Sequence, residues 1–314
     1  MDSPTSASQP FSTGEARAAG LTKRQLARLL ARGELVRIGR GLYGPLDASS
    51  MLSQSVQHRA SLSSTALVAA HTTAAAIHGL RTPRSDDRLF FVCDRTMRHP
   101  DYLESGLVIL PAKVGDADIT VIDGLRVTTL ERTALDLARG CTLEYALVPI
   151  DHALTLGATR QSLQACRARM KGWPGTRVLD QALAVANPLA ESALESMSRG
   201  SILRAGLPSP DLQRTIVGNS STSWRADFLW PDARVVGEAD GHGKYASRGQ
   251  HEKEKFRDGD LAAAGWTVVH WTFEQMLIGQ RPALRWLERA LGVRMTADPS
   301  SARTRHYRRP PHFA

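Results

Sequence analysis

At 314 residues, with 42% hydrophobic and 23% charged residues, the chain is too long for one small domain and too apolar for general disorder. Its net charge of +9 is unevenly placed: seven bases and three acids in residues 1–46, five bases and one acid in residues 294–314, and about +1 over the 247 residues between. Basic charge gathered at two places is the electrostatic footprint of a polyanion partner, nucleic acid being the commonest, against the plainer reading of solubility.

After a Ser/Pro leader, F-S-T-G-E-A-R-A-A-G predicts a short helix capped by Ser12 or Thr13 and ended by Gly20. T-K-R-Q-L-A-R-L-L-A-R-G then opens with a capping-box pattern, Thr22 to Gln25, places Leu26, Leu29 and Leu30 on one face, and closes at Gly33. E-L-V-R-I-G-R-G-L-Y alternates like a small hairpin. Helix, turn, basic helix and basic hairpin make a winged helix-turn-helix pattern over residues 10–46. On it, Lys23, Arg24, Arg28 and Arg32 line a recognition helix, and Arg37 and Arg40 sit on the wing, in reach of phosphates and base edges of double-stranded DNA. The alternative is a helical cap whose arginines are merely solvated.

Residues 50–186 predict a mixed α/β middle region. V-A-A-H-T-T-A-A-A-I-H-G-L is helical, R-L-F-F-V-C-D and G-L-V-I-L are strand-like, and I-T-V-I-D-G-L-R-V turns at Asp123-Gly124 as a hairpin does. E-R-T-A-L-D-L-A-R-G is amphipathic up to Gly140, and three more helical patterns follow between Leu143 and Ala186. His71 and His78 share a helical face, but without a third ligand they read as structural histidines. Cys93, Cys141 and Cys166 have no C-x-x-C spacing, which argues against a disulfide framework and a cysteine zinc site.

Asn187-Pro188 marks a boundary. Beyond it, residues 189–292 predict a helix with Gly206 as its C-cap, three strands (D-L-Q-R-T-I-V, S-W-R-A-D-F-L-W and A-R-V-V-G-E-A-D), a charged helix, a fourth strand W-T-V-V-H-W and a helix ending near Leu291. That order is an α/β sandwich. Residues 294–314 have the composition of a basic disordered tail. With no export signal at the N-terminus and no stretch near the roughly 18 apolar residues of a membrane helix, a cytoplasmic location with no membrane association is expected.

Within 189–292, Asp227 lies on the second strand, and Glu238 and Asp240 lie two positions apart on the third, where side chains share a face. Glu195, with Glu191 as the lesser candidate, lies on the preceding helix. Mg²⁺, or Mn²⁺ in its place, takes oxygen ligands of this kind, and Asp227, Glu238 and Asp240 are the expected metal set. Such a metal polarises a phosphoryl oxygen and lowers the pKa of a bound water. Lys244, beyond the flexible Gly241 and Gly243, is placed to stabilise charge on a phosphate. The plainer alternative is a set of strand-end acids, with Asp227 paired to Arg225 or Arg234. The H-E-K-E-K-F-R run reads as a solvated helix face, with Arg257 and Lys253 as its candidates for a substrate backbone. P-loop, H-E-x-x-H and G-x-S-x-G patterns are absent.

E-S-M-S-R, A-G-L-P-x-P-x-L-Q, W-R-A-D-F-L-W-P and V-G-E-A-D-G-H-G-K-Y together resemble the very-short-patch-repair-endonuclease-like branch of the restriction-endonuclease-like PD-(D/E)-x-K superfamily. The resemblance implies Asp227 and Glu238 as metal ligands, Glu195 as the first-helix acid, and Asp240 where the superfamily usually has its lysine. The N-terminal part, with G-L-T-K-R-Q-L, R-G-L-Y-G-P, T-T-A-A-A-I-H-G-L and T-L-E-R-T-A-L-D-L-A, is similar to the antitoxin component of type IV abortive-infection systems. That resemblance implies a winged helix on promoter DNA, repression of its own operon and a cognate toxin.

The expectation is thus an α/β multidomain protein that binds double-stranded DNA and hydrolyses its phosphodiesters, with Asp227, Glu238, Asp240, Lys244 and Glu195 as catalytic residues. The alternative is a repressor or antitoxin-type regulator whose nuclease-like domain is inactive. A third is a module that only contacts proteins.

Overall fold

The structure, a computed structural model, describes residues 11–32, 35–39, 42–44, 67–84, 86, 88–93, 107–112, 114–241, 248–279 and 281–297. It is mixed α/β and its described residues divide into two compact units, one formed by those up to Gly79 and those of Arg84–Thr133, the other by Leu80–Pro83 and those of residues 134–297.

In the first unit, α1 (Thr13–Ala18) stops at Gly20, whose φ of 82° lets Leu21 N–H return to the Ala16 carbonyl at 2.8 Å. α2 (Lys23–Ala31) starts at the expected capping box. β1 (Phe11–Ser12), β2 (Val36–Gly39) and β3 (Leu42–Gly44) form a sheet of order β1-β3-β2, its pairs antiparallel. Ala16, Leu26 and Leu35 are the buried centre of this part, with Leu21, Leu29, Leu30 and Tyr43 against them.

The same unit holds β4 (Val68–Ala69), α3 (His71–His78), β5 (Leu89–Cys93), β6 (Leu107–Pro111), β7 (Ile119–Ile122), β8 (Leu125–Thr128) and the start of α4 (Leu130–Ala138). The strands make a mixed sheet of order β6-β5-β4-β8-β7. Alternation decides its faces: Ala69, Phe91, Cys93 and Val127 share one cluster, and Val68 and Val92 the other. β7 and β8 meet at the expected Asp123-Gly124 turn, where both residues have positive φ. Of the two histidines, His78 has its Nε2 2.7 Å from the Thr128 carbonyl and His71 opens α3 with φ of 54°.

The second unit continues through α5 (Leu143–Thr155), α6 (Arg160–Arg169), α7 (Thr176–Val185) and α8 (Ala193–Arg204). Then come β9 (Asp211–Val217), β10 (Ser223–Trp230), β11 (Val235–Asp240), α9 (Arg248–Ala263), β12 (Thr267–Thr272), α10 (Phe273–Leu277) and α11 (Pro282–Leu291). The sheet runs β12-β11-β10-β9, an antiparallel meander closed by a parallel β11–β12 pair. One face packs Phe228, Trp230, Val235 and Trp271 on Leu194, Met197 and Ile202 of α8 and Leu284 and Leu287 of α11. The other packs Ile216, Ala226, Leu229 and Val236 under Leu261 of α9.

α8 is buried along nearly its whole length, so its charges need partners. Arg199 meets Asp151 through two hydrogen bonds of 2.8 and 2.7 Å, and Glu144 lies between Arg204 at 2.6 Å and Arg281 at 3.2 Å.

Candidate functional site

Two regions gather functional side chains, and each belongs to one unit. The first is α2. Thr22 Oγ1 accepts from the Gln25 N–H at 3.3 Å while Gln25 Oε1 accepts from the Thr22 N–H at 2.8 Å, so two end groups of the helix satisfy each other. At about 100° per residue the leucines take one side of such a helix and positions 24, 28 and 32 the other, with position 23 flanking Leu30. Lys23, Arg24, Arg28 and Arg32 are all exposed, and no acid stands in the first turn. Arg37 lies on β2, with its side chain outside the described part, and Arg40 lies outside the described residues.

The second region is the end of the β9–β11 meander facing the start of α8. Ser192 caps α8 by accepting the Glu195 N–H at 3.1 Å, which fixes Glu195 in the first turn. The Glu195 carboxylate turns back to accept from Glu191 N–H at 2.8 Å and from Gln213 Nε2 at 3.0 Å. The same Gln213 nitrogen is 3.2 Å from Asp227 Oδ1, so one amide joins the two acids. Gln213 sits in β9 with φ of 53°, a strained conformation for a strand residue. The other Asp227 oxygen accepts from Ala239 N–H at 3.1 Å, tying β10 to β11.

Glu238 is buried, and the guanidinium of Arg257, from α9, donates to it and to the Arg225 carbonyl. Burial, reinforced by the charge of Asp227, raises the Glu238 pKa to about 7 although Arg257 opposes the shift. Burial likewise raises Glu195, with Asp227 adding to it. Gly237 makes this strand possible: a Cβ there would stand 2.5 Å from Cη2 of Trp271, a fully buried ring on β12 whose Nε1 donates to Ser198 at 2.9 Å.

Asp240 is exposed and takes a different partner. Its Oδ2 is 3.2 Å from His270 Nδ1, and His270 Nε2 is 3.1 Å from Asp258 Oδ2. The hydrogen bond with Asp240, helped by both carboxylate charges, raises the His270 pKa to about 9. Thus Glu195 and Asp227 are brought together through Gln213, Asp227 acts on Glu238 electrostatically, and Asp240 is engaged by His270. Asp227 is not paired with Arg225, which meets Glu191 at 2.8 Å, nor with Arg234, which reaches the Ala264 and Gly265 carbonyls. Lys244 lies outside the described residues, and among the described residues no three His, Cys, Asp or Glu side chains are placed to hold a metal ion.

Residues 6–45 match a family described as "Transcriptional regulator, AbiEi antitoxin". Over 250 residues the chain is 30% identical to the uncharacterized proteins MT2308 and Rv2248 of two Mycobacterium tuberculosis strains, covering 79% of this chain and 89% of each relative. The chain belongs to the family of these mycobacterial proteins. A crystal structure of the RV2827C protein from Mycobacterium tuberculosis is also similar, at 16% identity and a TM-score of 0.38, over 67% of this chain and 83% of that one.

In this member of the family, Gln213, Arg257 and His270 carry as much of the acidic site as the acids do. Glu252, Lys253, Glu254, Lys255 and Phe256 are exposed, as a solvated helix face requires, whereas Arg257 is turned inward to Glu238. Arg257 closes that run, and the sequence marked it, with Lys253, as a candidate for a substrate backbone rather than as the partner of Glu238. No helix among the described residues is long and apolar enough to cross a membrane.

Proposed function

We propose that the chain is a transcriptional regulator of the antitoxin type, binding double-stranded DNA through an N-terminal winged helix whose recognition helix is α2. The observation that carries this reading is the exposed cationic face of α2 and its C-cap, Arg24, Arg28 and Arg32 opposite Leu26, Leu29 and Leu30 with Lys23 at its edge, inside the segment that matches the antitoxin regulator family. Exposed arginines on a helix supply both phosphate contacts and bidentate contacts to guanine. A cognate toxin is the protein partner that the antitoxin reading implies, and the cytoplasm is its compartment. The test is fluorescence anisotropy on duplexes tiled across the gene's own promoter. Arg24→Ala with Arg28→Ala is expected to lower affinity, reduce the salt slope by about 1 for each phosphate no longer neutralised and relax sequence preference. Unchanged affinity would reject α2 as the reader.

A second reading, a metal-dependent endonuclease of the restriction-endonuclease-like kind, is favoured by one observation: Gln213 joins Glu195 to Asp227 and the Asp227 charge acts on Glu238, with Glu195 and Glu238 buried, although the three are not placed to hold a metal ion together. Magnesium or manganese fits this arrangement only in part. Asp227 and Glu238 have the right oxygen chemistry, but Arg257 already supplies positive charge to Glu238 and His270 does so for Asp240. A metal would therefore have to displace Arg257 from Glu238. That pairing favours the regulator over the nuclease. Calorimetric titration of Mg²⁺ or Mn²⁺ into wild type and an Asp227→Ala, Glu238→Ala variant separates the two. Binding and plasmid cleavage that both vanish in the variant would reinstate the nuclease.

A further inference from the structure

One face of α9 is turned to the sheet. Arg257, Asp260 and Leu261 stand three and four positions apart and so share a side of the helix, whereas Glu252, Lys253, Glu254, Lys255 and Phe256 are exposed. Leu261 is fully buried among Ile216, Ala226, Leu229 and Val236. Asp260 accepts from Trp224 Nε1 at 2.7 Å and from the Ser220 N–H at 2.6 Å. Gly218 makes room for it, since a Cβ there would stand 1.9 Å from Asp260 Oδ2.

These fastenings set where Arg257 goes. One turn before them, its Nη2 donates to the Arg225 carbonyl of β10 at 3.0 Å and to Glu238 of β11. The guanidinium therefore bridges two strands, from a helix held to the same sheet by a hydrogen-bonded carboxylate and a buried leucine.

Glu238 is the carboxylate for which this matters. Asp227 has both oxygens engaged by neutral donors, Gln213 Nε2 at 3.2 Å and the Ala239 N–H at 3.1 Å, and Asp240 is turned to His270. Glu238, 7% exposed, is met by a full positive charge, with Asp227 near enough to act on it electrostatically. The spacing on β11 predicts a divalent ion at this place, and such an ion takes one or two carboxylates and completes its shell with water. A guanidinium supplies the counter-charge but carries no lone pair, so it serves the carboxylate and offers nothing to a metal. Two cations close to one carboxylate also repel each other.

We infer that Arg257 is a built-in counter-ion standing in for a divalent cation, and that it masks a cation site at Asp227 and Glu238 which opens when Arg257 is removed. The inference concerns the second unit and does not rest on the reading of α2.

The experiment follows Mn²⁺ uptake by the full-length protein through loss of the free-ion electron paramagnetic resonance signal, with melting temperature measured on the same samples. Wild type is compared with Glu238→Gln, with Arg257→Met, which keeps a long apolar stem, and with Arg257→Met combined with Glu238→Gln. Arg257→Met is expected to melt below wild type, to take up Mn²⁺, and to regain melting temperature with Mn²⁺ but not with sodium chloride at equal ionic strength. The double variant is expected to lose that uptake. Wild type is expected to show neither uptake nor a shift at concentrations that saturate Arg257→Met. Should Arg257→Met fail to fold, Arg257→Lys replaces it: the ammonium lacks the planar fork that spans Glu238 and the Arg225 carbonyl, and uptake removed by Glu238→Gln is the expected result.

Uptake by wild type that Glu238→Gln removes overturns the masking and brings back the nuclease reading. No uptake by a folded Arg257 variant overturns the cation site and leaves Arg257 as a clamp between α9 and the sheet. Neither outcome touches α2, whose binding to duplexes is measured without metal.

Discussion

Arg257 reaches Glu238 from α9 at a position where a buried carboxylate already feels Asp227. The carboxylate is costly to leave alone in that setting, since removing one partner of a buried pair costs about 3 to 5 kcal/mol. Arg257 is partly exposed, which brings the expected loss for Arg257→Ala below that range, to about 2 to 3 kcal/mol. Adding Glu238→Gln to it is expected to restore much of that loss, because the neutral amide no longer needs a counter-charge. Urea unfolding of the two single variants and the double variant closes the cycle, and additive losses would show that the pair does not couple. The acids were legible from their i, i+2 spacing on a strand. Gln213 and His270 were not, and Arg257 was marked only as a candidate for a substrate backbone, because their roles come from close approaches between elements. Nothing in D-L-Q-R-T-I-V announces the positive φ that points Gln213 at two carboxylates.

At the scale of elements, α2 depends on its start. Thr22 and Gln25 satisfy each other's backbone N–H groups, and the hydrophobic core beneath is small, with Ala16, Leu26 and Leu35 as its buried residues. A small core gives little reserve, so the cap matters more than it would in a long buried helix. Thr22→Ala is expected to destabilise α2 by about 1 kcal/mol. Hydrogen exchange should report this as several-fold faster exchange of the α2 amides, with β9–β12 unchanged. Equal protection in the variant would mean that packing alone holds the helix. Most helices and strands stand where periodicity, caps and turn residues placed them. The exceptions are short: β1 and β4 have two residues each, too few for any alternation to register, and V-A-A read as helix although Ala70 is still extended and α3 begins at His71. The single helix expected before Leu291 is α10 followed by α11, separated at Ile278, which is extended.

For the molecule as a whole, Glu238 and His270 dominate how the second unit answers to pH, with Glu195 and Asp151, also raised by burial, acting with the same sign. Glu238, raised from 4.5 to about 7, holds its proton more tightly folded than unfolded. Its contribution to stability is therefore complete below pH 4.5 and is lost as pH rises through 7. His270, raised from 6.5 to about 9, has the same sign: its contribution is complete below 6.5 and is lost as pH rises through 9. The two windows adjoin, so stability declines from mildly acidic to alkaline pH. Asp260, held low chiefly by the Trp224 Nε1–H bond of 2.7 Å, works the other way, its contribution being lost as pH falls below 3.8. Maximum stability is thus expected between pH 3.8 and 4.5. Tryptophan fluorescence is a selective probe, since Trp173, Trp224, Trp230, Trp266, Trp271 and Trp286 all belong to the second unit. His270→Gln is expected to flatten the decline between pH 6.5 and 9, and Glu238→Gln that between 4.5 and 7. Because the His270 charge also lowers the Glu238 pKa, the first substitution should move the Glu238 window upward as well. A wild-type melting temperature that is constant from pH 5 to 9 would show that neither proton is held more tightly in the folded chain. The acids would then be ordinary carboxylates, ionised across that range, and Arg257 would balance a full negative charge at Glu238.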